Sequence, residues 1–263
     1  MTDTDYPVAI VTGAARGIGA AIASQIVTHG GLIYAVDIDK AALKKLQNTL
    51  GKRVRTVPIN VTDESQVASV FQSVHHDTGR VDAVFANAGA TGIRGPLEDT
   101  SVDDFRSGID LLLTSVFLTF KHGVRIMRPQ GRGSLVATSS VASIHGGLGP
   151  HIYTAAKHGV KGLVESTAVE ISPYGLTANA IAPGGTVSSL SAGLLGDRDN
   201  TAAAYEQLKK SASSGKPTTS DDVANAAIFL ALKAPSINGA TLVIDGGDYV
   251  LPSSGRSHYT AHV

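Results

Sequence analysis

Residues 8–27 read VAIVTGAARGIGAAIASQIV. A short apolar run, Val8–Thr12, comes first; a turn with glycines at 13, 17 and 19 follows; a run of helix-formers completes the stretch. The opening residues are apolar without alternation, which suits a strand covered on both faces. Ile18, Ile22 and Ile26 recur at helical spacing and predict one face packed on a sheet. Strand, glycine turn and helix in that order begin a βαβ unit and predict parallel strands.

The turn itself predicts an anion site. Without side chains the backbone can be approached closely, and the helix behind it offers unpaired N–H groups and the positive end of its dipole. The spacing is Thr-Gly-x-x-x-Gly-x-Gly rather than the commoner Gly-x-Gly-x-x-Gly, and a glycine turn can also serve only to reverse the chain. Asp37 and Ile38 follow the second apolar run. An acid at Asp37 can accept from ribose hydroxyls and repel a 2′-phosphate, which predicts NAD rather than NADP; a solvated loop acid is the plainer alternative. Arg16, inside the turn, could instead attract a phosphate.

Outward from this unit, apolar runs alternate with helical stretches. The strands are predicted at Val8–Thr12, Leu32–Val36, Arg53–Ile59, Val81–Asn87, Ser134–Ser139, Thr177–Ala182 and Ala240–Ile244, giving an α/β fold with one parallel sheet covered on both faces. Helix starts are expected at Thr62 with Asp63 and Glu64, at Ser101 with Asp104, and at Ser220 with Asp221 and Asp222. The stretch from Gly184 to Lys216 is rich in Ser, Gly and Ala and predicts a mobile substrate loop with one short helix near Tyr205–Lys210. The tail from about 248 to 263 has no readable period. A single domain over 1–263 is expected.

The totals exclude several classes. Charged residues balance to zero, and no basic excess marks a nucleic-acid or membrane partner. Cysteine is absent, which removes disulfides, thiolate nucleophiles and cysteine zinc sites. No apolar run reaches the length of a membrane span, and the start of the chain does not read as a signal peptide. A cytoplasmic protein is expected. His75 and His76 lack carboxylate or thiol neighbours at metal spacing and read as surface residues; no metal site is predicted.

The reacting groups are sought on the helix beginning near Tyr153. Tyr153 and Lys157 are neighbours on one face, with Val160, Val164, Thr167 and Ile171. A free tyrosine titrates at about 10. For it to act as a base near neutrality a fixed ammonium must lower that value, and burial strengthens the effect. Such a pair also arises by chance on any helix. Ser140 lies at the carboxyl end of a predicted strand, the edge at which open α/β sheets bind ligands; alone, it would read as a turn residue.

Taken together, TGAARGIG (Thr12–Gly19), NAG (Asn87–Gly89), Ser139–Ser140, YTAAK (Tyr153–Lys157), NAIAPGG (Asn179–Gly185) and LVIDGG (Leu242–Gly247) resemble the short-chain dehydrogenase/reductase family over nearly the whole chain. The resemblance implies a Rossmann-type, doubly wound, seven-stranded parallel sheet and a homotetramer. It implies catalysis by Ser140, Tyr153 and Lys157, with Tyr153 as general acid/base, Lys157 lowering its pKa and holding the nicotinamide ribose, and Ser140 placing the substrate oxygen. NAD would contact Gly13, Arg16, Gly17, Ile18 and Gly19 at the turn. Asp37, Ile38, Asn60, Val61, Asn87 and Gly89 would lie towards its adenosine, and Gly184, Thr186 and Ser188 towards its nicotinamide. Substrate would meet Ser140, Ile144, His145, His151 and Tyr153, in a partly apolar pocket to which Leu148 also contributes.

Two positions depart from the family pattern. Asn60 stands where Asp is usual, and could still accept from the adenine amino group. Leu112 stands where the family has a catalytic Asn that holds a water near the lysine. The resemblance implies reversible hydride transfer between NAD and a secondary alcohol or ketone. The HIYTAAKHGVKGL segment is similar to members acting on cyclic alcohols, so an alicyclic or terpenoid-like small molecule is expected. Leu112 leaves open a nucleotide-binding protein of little catalysis, acting as a binding or regulatory module.

Overall fold

The computed structural model describes residues 6–92, 94–197 and 200–249. Its strands are β1 (Val8–Thr12), β2 (Leu32–Asp37), β3 (Val54–Pro58), β4 (Ala83–Ala86), β5 (Gly133–Thr138), β6 (Leu176–Pro183), β7 (Thr186–Val187), β8 (Thr218–Thr219) and β9 (Thr241–Ile244). Seven of them form one sheet in the order β3-β2-β1-β4-β5-β6-β9, parallel throughout. The helices are α1 (Gly17–Thr28), α2 (Lys40–Leu50), α3 (Glu64–Thr78), α4 (Val102–Ile109), α5 (Ser115–Gln130), α6 (His151–Ile171), α7 (Ser189–Gly193), α8 (Thr201–Lys209) and α9 (Ser220–Leu232). A π-helical turn, Asp110–Thr114, joins α4 to α5.

Strand side chains alternate between two buried layers, which explains why the strands read as unbroken apolar runs. Ala9 and Val11 of β1, Ile33 and Ala35 of β2, and Ala83 and Phe85 of β4 pack with Ile22 and Ile26 of α1, Leu43 of α2 and Ile228 of α9. Val8 and Ile10, Tyr34 and Val36, and Val84 and Ala86 face the other way, against Val70 of α3, Val116 of α5 and Val164 of α6. Ile22 and Ile26 are fully buried, as their spacing predicts, and Ile18 lies half-buried at the rim. The order of connection reverses between β1 and β4, so a crevice opens at the carboxyl ends of these neighbours.

Most strand boundaries differ from the expected ones by a residue or two, and the local hydrogen bonds show why. The fourth strand shortens from Val81–Asn87 to Ala83–Ala86 because the Asn87 N–H donates to Thr12 Oγ1 at 3.0 Å and so leaves the ladder. Two helix starts are corrected. Asp63, not Thr62, caps α3: its carboxylate accepts the Ser65 and Gln66 N–H groups, while the Thr62 hydroxyl donates to Asn60 Oδ1 at 2.9 Å. The Ser65 hydroxyl and the Gln66 side-chain amide, which also donate to that carboxylate, hold the Asp63 carboxyl down at about 2 ahead of the N–H groups. Thr219, not Ser220, caps α9, in a reciprocal box with Asp222; the Ser220 hydroxyl donates to the Val187 carbonyl. Ser101 caps α4 as read, accepting the Asp104 N–H at 3.0 Å.

The stretch from Gly184 to Lys216 holds more structure than its composition suggests. It contains β7, α7 and α8, and β7 pairs with β8, Thr186 opposite Thr218 and Val187 opposite Thr219. The expected helix near Tyr205–Lys210 is α8, which starts earlier, at Thr201, and is capped by Asn200. Of the C-terminal tail, Val250–Val263 lie outside the described residues.

Ile181 of β6 is fully buried among Val136, Val223 and Ala227. Ile181→Ala should lower stability by about 2–5 kcal/mol, seen as an earlier midpoint in urea or thermal unfolding followed by circular dichroism.

Candidate active site

The glycine turn closes against β4 at distances that no side chain would tolerate. A Cβ on Gly19 would fall 2.1 Å from the Gly13 carbonyl oxygen, and one on Gly13 2.8 Å from Ala88 Cα. Gly13 and Gly17 take φ of 64° and 54°, left-handed values that suit glycine. Arg16 occupies the N-cap of α1 without capping it, and α1 has no acid in its first turn. The first N–H groups of α1 are therefore free of a side-chain partner, as an incoming anion would require. Its Nη1 instead pairs with Asp39 Oδ2 at 2.7 Å.

The remaining predicted nucleotide residues divide between exposed and committed groups. Asp37 ends β2 with Oδ2 accepting the Ala15 N–H and Oδ1 the Asp39 N–H, both at 3.0 Å; each oxygen keeps a further lone pair. Ile38, 74% exposed, projects beside it. Val61 is buried. Asn60 spends Oδ1 on the Thr62 N–H and hydroxyl, which leaves its amide hydrogens rather than its oxygen available. Asn87 is engaged still further. Its amide donates to the Thr12 and Gly13 carbonyls, both at 3.2 Å, and its Oδ1 accepts the Thr138 hydroxyl at 2.9 Å. It thus clasps β1, β4 and β5 together beneath the turn.

The segment leaving β6 crosses above the same crevice. A Cβ on Gly184 would stand 2.6 Å from Asp245 Cβ, so the chain passes close to the end of β9 there. The buried Thr186 donates to the Gly184 carbonyl, and Ser188 caps α7 in a box with Ser191. A Cβ on Gly17 would meet Ser188 Cβ at 3.4 Å, so this segment roofs the glycine turn. Gly89 faces Leu112: a Cβ there would lie 3.2 Å from Leu112 Cδ2. Leu112, 1% exposed, sits within the π-helical turn, which packs on α6.

Ser140, Tyr153 and Lys157 come together at the carboxyl end of β5. Ser140 is buried, caps the short turn Val141–Ser143, and accepts the Ala142 N–H at 3.2 Å. Its hydroxyl lies beside the Tyr153 phenol and acts to lower its pKa. Lys157, 4% exposed, donates from Nζ to the Thr138 carbonyl at 2.7 Å, and that Nζ lies 5.5 Å from the centre of the Tyr153 ring. Burial pushes the phenol above its usual value, opposed in part by Ser140, and brings the ammonium down to about 8. The sequence reading expects the ammonium to lower the phenol. Here the ammonium is bonded to Thr138 instead, and desolvation of the phenol dominates.

The predicted substrate residues do not converge on one pocket. Ile144 lines a cavity of about 470 Å³ with Ser143, His158, Lys161, Gly162 and Glu165. His145 is exposed and packs its ring on Tyr249, centres 4.7 Å apart. His151, the first residue of α6, lines a separate cavity of about 280 Å³ with Arg94, Gly95, Gly149 and Pro150. Leu148 is half exposed on the intervening loop. Thr138, Arg94 and Tyr249 are absent from the sequence reading. A strand-end threonine, a loop arginine and a residue of the tail carry no periodic signal, and only chain packing brings them here. His75 and His76 are exposed on α3, and no cluster of three metal-binding side chains forms among the described residues.

This arrangement has known counterparts. Residues 13–248 match the family model described as enoyl-(acyl carrier protein) reductase. The (+)-borneol dehydrogenase 1 of Salvia officinalis is 35% identical over 248 residues, covering 91% of this chain and 92% of its own. The cis-4-hydroxycyclohexanecarboxylate dehydrogenase of Sinomonas cyclohexanicum is 37% identical over 243 residues, covering 91% and 95%. The crystal structure of levodione reductase superimposes with a TM-score of 0.85 at 32% identity, covering 95% of this chain and 99% of that one. With its parallel sheet, its glycine turn and its serine, tyrosine and lysine at one strand end, this chain belongs to the short-chain dehydrogenase/reductase family of oxidoreductases.

Proposed function

We propose that the protein uses NAD to interconvert a secondary alcohol and its ketone, on alicyclic or terpenoid-like substrates. The observation that carries this is the meeting of the Ser140 hydroxyl, the Tyr153 phenol and the Lys157 ammonium beside the sheet crevice. The names of a borneol dehydrogenase, a hydroxycyclohexanecarboxylate dehydrogenase and levodione reductase among its relatives support the substrate class. A weakly catalytic nucleotide-binding module, the reading that Leu112 raises, is less well supported, because the three reacting side chains are all present and adjoining. The same reading includes a homotetramer in the cytoplasm.

The cradle of Gly13, Gly17 and Gly19 and the open start of α1 fit a pyrophosphate. Asp37 would take the adenosine ribose hydroxyls, and Thr186 and Ser188 would lie over the nicotinamide end. The bound nicotinamide supplies the carbon that takes or gives hydride. In oxidation, Tyr153 as phenolate removes the alcohol proton; in reduction, it returns that proton to the ketone oxygen. Ser140 accepts the Ala142 N–H through its oxygen, and its own proton would turn from Tyr153 to the substrate oxygen. Lys157 stabilises the phenolate by its charge. Leu112 offers no hydrogen bond, so the proton leaving Lys157 reaches solvent without help from that side chain.

Tyr153→Phe should retain NAD binding while lowering kcat by about 100-fold or more, measured as NADH absorbance with cyclic alcohols. Turnover near the wild-type rate would overturn the mechanism. The first proton to leave the tyrosine–lysine pair does so near the lysine's value of about 8. Below it the pair is fully protonated and suited to reduction; above it the pair has lost one proton, chiefly from the lysine because burial raises the phenol, and the phenolate–ammonium tautomer in equilibrium with that form becomes available for oxidation. Accordingly kcat/KM for alcohol oxidation should rise through pH of about 8 and that for ketone reduction should fall through the same region. The engagement of Arg16 with Asp39 withdraws the turn's basic side chain from a 2′-phosphate, although exposed pairs of this kind are weak and Asp37 carries most of the preference. NADP should bind roughly tenfold or more weakly than NAD in a fluorescence titration, and equal affinity would refute the assignment of Asp37.

A further inference from the structure

Arg94 has no part in the chemistry described above, yet it stands close to it. With Gly95, Gly149, Pro150 and His151 it lines the cavity of about 280 Å³. Gly149 joins this cavity to the Tyr153 ring: a Cβ on Gly149 would lie 2.8 Å from Tyr153 Cδ1 and 3.5 Å from Cε1. Gly95, Gly149, Pro150 and His151 make up the rest of the wall, and among the described residues the exposed Arg94 is its only Lys, Arg, Asp or Glu. Among the described residues Arg94 makes no ion pair, unlike Arg16, Arg55, Arg80 and Arg128.

An unpaired guanidinium on a cavity wall is suited to one kind of guest. Its planar fork of N–H donors matches a carboxylate, to which it can donate two parallel hydrogen bonds. His151 adds a ring N–H within the same wall. We propose that this cavity receives the part of the substrate remote from the reacting carbon, and that Arg94 binds a carboxylate carried there. The preferred substrate is then an alicyclic hydroxy acid or keto acid rather than a neutral alcohol. This rests on Tyr153 being the reacting phenol, since the cavity matters to specificity only through its place beside that ring.

The test uses the full chain with NAD, with cyclohexanol and 4-hydroxycyclohexanecarboxylate as paired substrates, and compares wild type with Arg94→Gln and Arg94→Lys. The KM ratio of carboxylate to neutral substrate should rise roughly 10- to 100-fold in Arg94→Gln, the loss expected for hydrogen bonds to a charged group, and less in Arg94→Lys. A ratio unmoved by Arg94→Gln overturns the proposal. A second readout does not depend on turnover. Calorimetric titration with cyclohexanecarboxylate, against cyclohexanecarboxamide as the uncharged control, should show binding of the acid that is lost in Arg94→Gln. If neither substrate is oxidised but this binding is found, the oxidoreductase reading fails and the anion site stands. If wild type does not prefer the acid to the amide, the anion site fails whatever the turnover.

Discussion

A buried ammonium sets the constraint around which the site is arranged. Lys157 is almost fully enclosed, and removing a cation from water is costly unless it is paired or bonded. Here the bond runs to the backbone carbonyl of Thr138 at the end of β5. The same threonine gives its hydroxyl to Asn87, and Asn87 gives its amide to the carbonyls of Thr12 and Gly13. The lysine, the end of β5, the end of β4 and the glycine turn after β1 are thereby joined in one polar seam across three strands. A fault in any member would displace both the nucleotide turn and the reacting pair, because buried hydrogen-bond networks are costly when only partly satisfied.

Burial also sets the electrostatics. It raises the Tyr153 phenol and lowers the Lys157 ammonium, so both groups are biased towards their uncharged forms. The site therefore holds a protonated phenol until a charge develops nearby that makes the phenolate worthwhile. The Ser140 hydroxyl, beside that phenol, is the protein's own contribution in that direction. The π-helical turn carrying the buried Leu112 packs against α6, with Leu112 Cδ2 3.2 Å from where a Cβ on Gly89 would stand.

Much of this was legible in the chain itself. The inner strands announce themselves because each faces two layers and is apolar on both sides, as Ala9 and Ile10 illustrate, whereas the edge strands β3 and β9 are only partly buried. Gly13, Gly17 and Gly19 are required by backbone approaches that no side chain could tolerate, so their spacing is a direct trace of geometry. The pairing of Tyr153 with Lys157 follows from helical periodicity alone. Less visible were features that depend on distant partners. The bonds of Asn87 to Thr12, Gly13 and Thr138 join residues far apart in the chain. Asp63 and Thr219 displace their neighbours as caps through hydrogen bonds that the neighbouring residues could equally have made. The small residues between Gly184 and Lys216 hide two helices and a paired strand, because β7 is paired with β8, 32 residues later in the chain.

The sequence by itself determined the layering, the direction of the strands, the glycine turn and the Tyr153–Lys157 pair, since each is local or periodic and is imposed by side-chain size and spacing. Tertiary structure alone decided how those parts are used. It bonded Lys157 to Thr138 rather than to the phenol, separated Ile144, His145 and His151 into different surroundings, and carried Arg94 from a loop after β4 to the cavity beside Tyr153. Hydrogen bonds and cavities of this kind join residues far apart in the chain, and no run of neighbouring residues encodes the distance between them.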